Sequence, residues 1–319
     1  MKNILVIGAN GQIGTDLVEA LRKRYTSGRI IASDIKKPDT FDADFVLLDA
    51  TDYDAVKQVL IEYKIDDVYL MAAILSAKAE QMPRKAWQVN MSVLFNALEL
   101  TKEGFINKLF WPSSIAVFGP HTPGIDTPQY TTMDPNTVYG ISKLAGERWV
   151  EYYNLHFNTD VRSVRYPGII SWKTLPGGGT TDYAVEIFHE ALKTGHYTSF
   201  LEKNTRLPMM YMPDAIEATI NIMEADKSVL RIKNSYNIAG ISFTPAELAQ
   251  AIQKYIPGFT IDYQPDFRQA IADSWPQSIN DSFAFKDWYW HHKYDLDAMV
   301  KDMLQNLSSK YSKELITEI

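Results

Sequence analysis

One stretch near the start of the chain restricts the fold more than any other. Gly8-Ala9-Asn10-Gly11-Gln12-Ile13-Gly14 places a glycine at every third position, directly after the apolar run Ile4-Leu5-Val6-Ile7. Four apolar residues closed by glycine read as a short buried strand, and residues 12–24 have helical spacing. A glycine turn between strand and helix lets the backbone curl tightly and packs the helix close to the strand. It also leaves the first helical N–H groups open, and with the positive end of the helix dipole they form a site for a pyrophosphate. Such a turn belongs to a strand–helix–strand unit of a parallel sheet, so the sequence beyond it must supply further strands and helices in alternation.

It does. Residues 4–7, 29–33, 45–48, 68–72, 108–111 and 161–165 read as short buried strands, and 12–24, 53–63, 84–103 and 136–157 as helices between them. The alternation predicts an α/β fold, a Rossmann doubly wound parallel sheet with helices on both faces. After Tyr166 the rhythm changes. Residues 171–181 are rich in Pro, Gly and Thr and read as a loop. Helical patterns follow at 182–194, 213–225, 245–255 and 296–307, with Asp182, Asp214 and Thr244 as N-terminal caps. We therefore expect a Rossmann domain over residues 1–170 and a smaller C-terminal α+β substrate lobe over 171–319, with the chain free to cross back to the sheet. A length of 319 residues suits one large domain and a smaller one.

Asp34 ends the second expected strand, twenty residues beyond Gly14. A carboxylate there bonds the ribose hydroxyls of a dinucleotide and repels a 2′-phosphate, which favours NAD as the cofactor. Lys36 and Lys37 pull the other way. Composition narrows the partners: a net charge of −7 argues against a broad nucleic-acid or anionic-membrane surface, and no apolar run is long enough for a signal peptide or a membrane span. The expected location is cytoplasmic. With no cysteine the chain has no disulfide, thiolate ligand or thiol nucleophile. His291 and His292 are adjacent rather than spaced for helical chelation, so no metal site is expected.

A Tyr-x-x-x-Lys pair sets both side chains on one helix face, where the ammonium favours the phenolate and the phenolate takes a proton from an alcohol. Three of the 18 tyrosines have this spacing: Tyr53–Lys57, Tyr139–Lys143 and Tyr289–Lys293. Context selects the second. Ser113 and Ser114 follow the expected strand 108–111, and strand ends of a doubly wound sheet face the ligand crevice. Tyr139 opens a long helix that can lie beside that end. Ser114, Tyr139 and Lys143 are therefore the expected catalytic set.

With these residues in place, the chain resembles the extended short-chain dehydrogenase/reductase superfamily. The glycine turn, Ser113-Ser114-Ile115-Ala116-Val117-Phe118-Gly119 and Tyr139-Gly140-Ile141-Ser142-Lys143 carry the likeness. It implies that Ser114 polarises the substrate oxygen, that Tyr139 is the acid/base and that Lys143 also holds the nicotinamide ribose. Within the superfamily, Arg165-Tyr166-Pro167-Gly168-Ile169-Ile170, the segment 176–184 and Leu207-Pro208-Met209-Met210-Tyr211-Met212-Pro213-Asp214 depart from sugar-nucleotide enzymes. They are similar to the short-chain type of L-threonine 3-dehydrogenases, which implies oxidation of L-threonine to 2-amino-3-oxobutanoate. The resemblance further implies substrate contacts from Ser76, Ser114, Tyr139, Gly179, Thr180 and Trp275. Cofactor contacts are implied for Gly8, Asn10, Gly11, Gln12, Ile13, Gly14, Asp34, Ile35, Asp49, Ala50, Met71, Ala72, Ala73, Asn90, Tyr139, Lys143, Tyr166, Pro167 and Ile169. The helices 84–103 and 136–157 often form a dimer bundle in the superfamily, so a homodimer is expected. A nucleotide-sugar epimerase or reductase, and an NAD-binding redox sensor without turnover, remain as alternatives.

Overall fold

The computed structural model describes residues 2–38, 44–175, 177 and 179–317. Six parallel strands form the main sheet: β1 (Ile4–Ile7), β2 (Ile30–Asp34), β3 (Asp44–Leu47), β4 (Asp67–Leu70), β5 (Lys108–Phe110) and β7 (Val161–Arg162), in the order β3-β2-β1-β4-β5-β7. The strand order reverses beside β1, so a crevice opens between the C-terminal ends of β1 and β4. Successive β1 residues face opposite ways. Ile4 and Val6 join a core with α1 (Gln12–Arg24) and the later helix α7 (Met212–Glu224). Leu5 and Ile7 join a second core with α2 (Tyr53–Glu62), α4 (Pro83–Lys102) and α5 (Val138–His156). Burial on both faces is why the strands read as apolar runs rather than as alternating patterns.

Two elements depart from expectation. The strand expected over 161–165 is broken at Ser163. Val161–Arg162 pairs with β5, whereas β8 (Val164–Tyr166) pairs with β6 (Ser113–Ser114) and with β12 (Tyr236–Asn237). The carbonyl of Ser163 accepts instead from Tyr236 N–H at 2.9 Å, which brings the returning chain onto the sheet. The second is α3 (Ser76–Gln81), a short helix just before α4 with no apolar period to announce it.

The second lobe is built on β9 (Gly168–Ile170), α6 (Tyr183–Lys193), β10 (His196–Ser199), β11 (Leu207–Tyr211), β13 (Ile241–Phe243), α8 (Pro245–Gln253) and β14 (Thr260–Tyr263). The short helices α9 (Arg268–Asp273) and α10 (Ser282–Trp288) follow, and then α11 (Leu296–Thr317), which runs well past the expected end at residue 307. Its core holds α6, α8 and α11 around β11. The chain returns to the first lobe with α7, β12 and α10: Met212, Ile216, Tyr236 and Trp288 belong to the core of β1 and α1. Thr244 caps α8 in a reciprocal box with Glu247. Asp214 does not cap α7. It sits in the first turn, and its carboxylate accepts the N–H groups of Lys293 (2.9 Å) and Tyr294 (3.2 Å), pinning the approach to α11. No helix among the described residues is long and apolar enough to cross a membrane.

Candidate active site

The glycine turn has the tight approach its sequence implies. A Cβ on Gly8 would lie 2.6 Å from the backbone nitrogen of Ala72, and one on Gly14 would lie 2.2 Å from the carbonyl oxygen of Gly8. Gly8 has a φ of +86°, a left-handed backbone that glycine adopts without strain. Gly11 is the N-cap of α1 and offers no side-chain cap, so the first-turn N–H groups of Gln12, Ile13 and Gly14 stay open. Asp34 closes the far side. Its carboxylate accepts Asn10 N–H at 3.1 Å and Ile35 N–H at 2.8 Å, and Ile35 lies exposed beside it. The side-chain oxygen of Asn10 is buried without a partner. Together, the close backbone approach, the uncapped helix start and an acceptor awaiting a donor fit an extended dinucleotide.

The strand ends extend this cradle. Met71 N–H bonds the carbonyl of Ile7 at 2.7 Å, which sets Met71, Ala72 and Ala73 beside Gly8. Asn90, on α4, clamps the same loop through both main-chain groups of Ile74, at 2.8 and 3.1 Å. Asp49 turns towards Thr51, whose hydroxyl and N–H hold its carboxyl below the usual range. Ala50 is fixed through its carbonyl by Asn96 at 3.0 Å. Tyr166 ends β8. Its ring is buried against Phe110, and its hydroxyl meets Thr219 in the core, so only its main chain can face the crevice. Pro167 and Ile169 follow it, and Gly168 lets Thr181 and Met209 approach closely, since a Cβ there would lie 2.6 Å from each.

Ser114, Tyr139 and Lys143 converge. Ser114 ends β6, and its oxygen accepts Ala116 N–H at 3.1 Å. α5 is pressed onto that turn at Gly140, where a Cβ would lie 2.1 Å from the carbonyl of Ala116. Thr137 caps α5 by accepting Gly140 N–H at 3.1 Å. Tyr139 is thereby held against Ser114, whose hydrogen bond favours the phenolate, yet burial dominates and pushes the phenol up to about 12. Lys143 is 4% exposed, and burial brings its ammonium down to about 7, opposed by Glu147. Its Nζ donates to Pro112 O at 2.5 Å and lies 4.5 Å from the ring centroid of Trp111 and 5.5 Å from that of Tyr139. The expected lowering of the tyrosine by the lysine is therefore not realised in this state. Desolvation outweighs it, and the ammonium is directed at a carbonyl.

Beneath the lysine lies a network that the spacing rules did not single out. Glu147 continues the Tyr139–Lys143 stripe by one more turn. It accepts Arg165 at 2.9 and 2.7 Å and the Ser113 hydroxyl at 2.6 Å, with glutamate and arginine both buried. Arg165 also donates to Asn237 and to the carbonyl of Gln129. Repetition at four-residue intervals was the signal available for Glu147; Arg165 had none, because its partners lie on other elements.

On the opposite side, Thr180 is buried, and Gly179 N–H donates to Asp182 at 2.7 Å. Asp182 therefore folds back on its own loop instead of capping α6 with its side chain. Pro176 and Gly178 of that loop lie outside the described residues. Trp275 packs both on the second lobe's core and on the small cluster of Ile115, Val117, Phe118 and Ile279, which begins next to Ser114. Ser76 opens α3, which packs on α5. The other two Tyr-Lys pairs stand apart: Lys57 stacks on Tyr53 and pairs with Glu103, and Tyr289 is an exposed residue ending α10.

A model of the NAD dependent epimerase/dehydratase family matches residues 4–239. An uncharacterized epimerase/dehydratase of Staphylococcus aureus (strain bovine RF122) is 47% identical over 97% of this chain and 98% of its own. Among solved structures, the holo form of a GalE-like L-threonine dehydrogenase from Cupriavidus necator superposes with a TM-score of 0.93 at 54% identity, covering 96% of this chain and 99% of that one. A monomeric L-threonine 3-dehydrogenase from a metagenome database, in its apo form, superposes at 0.92 with 47% identity, over 95% and 98% of the two chains. With its glycine cradle and its Ser-Tyr-Lys set, the chain belongs to the NAD dependent epimerase/dehydratase family.

Proposed function

We propose that this chain oxidises the C3 hydroxyl of L-threonine with NAD, yielding 2-amino-3-oxobutanoate and NADH. The observation that carries the reading is the convergence of Ser114, Tyr139 and Lys143 beside the glycine cradle, in a chain similar along its length to L-threonine dehydrogenases. Residues 1–170 supply most of the cofactor lobe and later segments most of the substrate lobe. The glycine turn and first turn of α1 hold the pyrophosphate. Asn10, Asp34 and Ile35 hold the adenosine end. Asp49, Ala50, Met71–Ala73, Asn90 and the main chain of 166–169 line the remainder, and Lys143 holds the nicotinamide ribose. When bound, NAD would supply the acceptor for the hydride from C3.

Ser114 and Tyr139 orient the substrate hydroxyl, and Tyr139 takes its proton as the C3–H bonding pair leaves. Charge sets the order of events. A buried phenol near 12 gives up its proton only when positive charge gathers beside it, and Lys143, once redirected from Pro112 O, is the chain's own source. Ser76, Gly179, Thr180 and Trp275 close around the amino acid. Its carboxylate is matched by the hydroxyl and N–H groups of Thr180 and Thr181, Gly179 N–H being taken by Asp182. The chain acts in the cytoplasm as a homodimer.

The test is NADH absorbance with threonine, serine, 3-hydroxybutyrate and sugar nucleotides in parallel. Threonine is expected to be oxidised in preference to the others, and Tyr139→Phe to lower turnover by about 100-fold or more with NAD affinity retained. Tightly retained NAD and turnover of a sugar nucleotide alone would establish an epimerase or reductase instead.

A further inference from the structure

Among its described residues, the segment carrying Ser76 buries one apolar side chain, Ala79. α3 spans six residues, of which Ser76 is half-buried and Lys78 and Glu80 are exposed. Two polar clamps hold it. Asn90 fixes Ile74, just before the helix, through N–H and carbonyl together. At the other end, a carboxylate oxygen of Glu80 accepts the main-chain N–H of Val138 at 2.7 Å.

Val138 is the first residue of α5, so its N–H is one of the donors that a helix start leaves without an internal partner. Thr137 already accepts Gly140 N–H. Glu80 meets a second of these donors, and its negative charge sits at the positive end of the helix dipole. The next residue along α5 is Tyr139. Ser76 and Glu80 are spaced i, i+4, so both lie on one face of α3, and Glu80 reaches the start of α5 from it.

We infer that Glu80 is a positioning residue for substrate: by bonding Val138 N–H it fixes α3 against the first turn of α5 and holds Ser76 in register with Tyr139. This rests on the reading of Ser76 as a substrate contact. It accounts for an exposed carboxylate reaching across to a different helix beside the base. It also explains how a helix too short to persist alone keeps a fixed place at the crevice. Glu80 takes no part in proton transfer; its bond ends at the main chain. Its loss therefore falls on KM for the amino acid and not on the affinity for NAD.

The experiment compares the full-length parent with Glu80→Ala, Glu80→Gln, Ser76→Ala and the double variant Ser76→Ala/Glu80→Ala. Glu80→Ala is expected to raise KM for threonine about five-fold, with kcat changed less than two-fold and the Kd for NAD unchanged. Glu80→Gln keeps an acceptor oxygen and is expected within two-fold of the parent. If Glu80 acts through Ser76, the double variant matches Ser76→Ala alone. Hydrogen–deuterium exchange provides a readout independent of substrate: Glu80→Ala should speed exchange over residues 76–81 and leave β1 and β4 protected. A lower Tm with parental KM and parental exchange in α3 would overturn the inference. So would a raised KM in Ser76→Ala with none in Glu80→Ala. Parental KM in Ser76→Ala, with faster exchange in Glu80→Ala, would instead remove the substrate role of Ser76 and leave Glu80 as the clamp of α3. A parent that leaves threonine unoxidised fails the functional reading, and the exchange arm still decides whether Glu80 holds α3.

Discussion

Lys143 and Glu147 occupy successive turns of α5 and face opposite energetic problems. Lys143 is a buried base brought from the ordinary 10.5 down to about 7. Between those values the unfolded chain carries a proton that the folded chain lacks, so stability rises with pH across that window, by at most ~1.4 kcal/mol per pH unit. Lys143→Met removes this dependence. Its Tm should vary less between pH 7 and 9 than the parent's, and at pH 7 it should be at least as stable while turnover is lost. An unchanged slope would show that the lysine is not desolvated. Glu147 is the counterpart, a buried carboxylate whose oxygens are taken up by Arg165 and Ser113. Glu147→Gln leaves the Arg165 guanidinium without its countercharge, a change that costs about 3–5 kcal/mol in comparable buried pairs. A fall in Tm of roughly 6 °C or more is expected by calorimetry. A fall below 2 °C would mean that Asn237 and the carbonyl of Gln129 suffice for Arg165.

At the scale of elements, the glycine turn and α5 are governed by approach distance. Gly140 is the sharper case: a methyl group would lie 2.1 Å from the carbonyl of Ala116, and both belong to backbone that cannot yield easily. Gly140→Ala should push α5 away from the turn after Ser114, lowering kcat by ten-fold or more while NAD binding at the far cradle holds. Parental kcat would show that the contact is slack. The same elements explain what the sequence made legible. Ile4–Ile7 and Gln12–Arg24 were readable to the residue, because a doubly buried strand and a long amphipathic helix each leave a periodic trace. Ser114, Tyr139 and Lys143 were readable because strand ends and helix starts mark the crevice. The break at Ser163, the inward turn of Tyr166, and the pinning role of Asp214 were not. Each depends on a partner more than fifty residues away: Tyr236, Thr219, and Lys293 with Tyr294. α3 left no trace because, among its described residues, Ala79 is the one buried apolar side chain, and its polar ties run to Asn90 and from Glu80 to Val138.

Over the whole molecule, one of the ties between the two lobes joins the loop after β9 to α1. Lys173 bridges from the loop to Asp16 at 2.8 Å and Glu19 at 2.6 Å, both on α1. Another tie is Trp275, which packs on the second lobe's core and on the cluster of Ile115, Val117, Phe118 and Ile279. The opposite face of α4 and α5 is of another kind. Trp87, Trp149, Tyr152 and Leu155 are 40–63% exposed there, and Phe95, Trp149, Tyr152 and Phe157 form a chain of edge-on rings along it. An apolar surface of this sort, on two long helices that run side by side in the same direction, is what a two-fold interface uses. If the homodimer forms through it, the parent should sediment at twice the 36.3 kDa of one chain at micromolar concentration. Leu155→Glu, at the most exposed residue of the patch, should shift it to a single chain. The residues of the crevice lie on the first turns of α5, four turns from Leu155, so the monomeric variant should still oxidise threonine. A parent that sediments as one chain at every concentration would place this protein with the monomeric relative, and the aromatic face would then need another explanation.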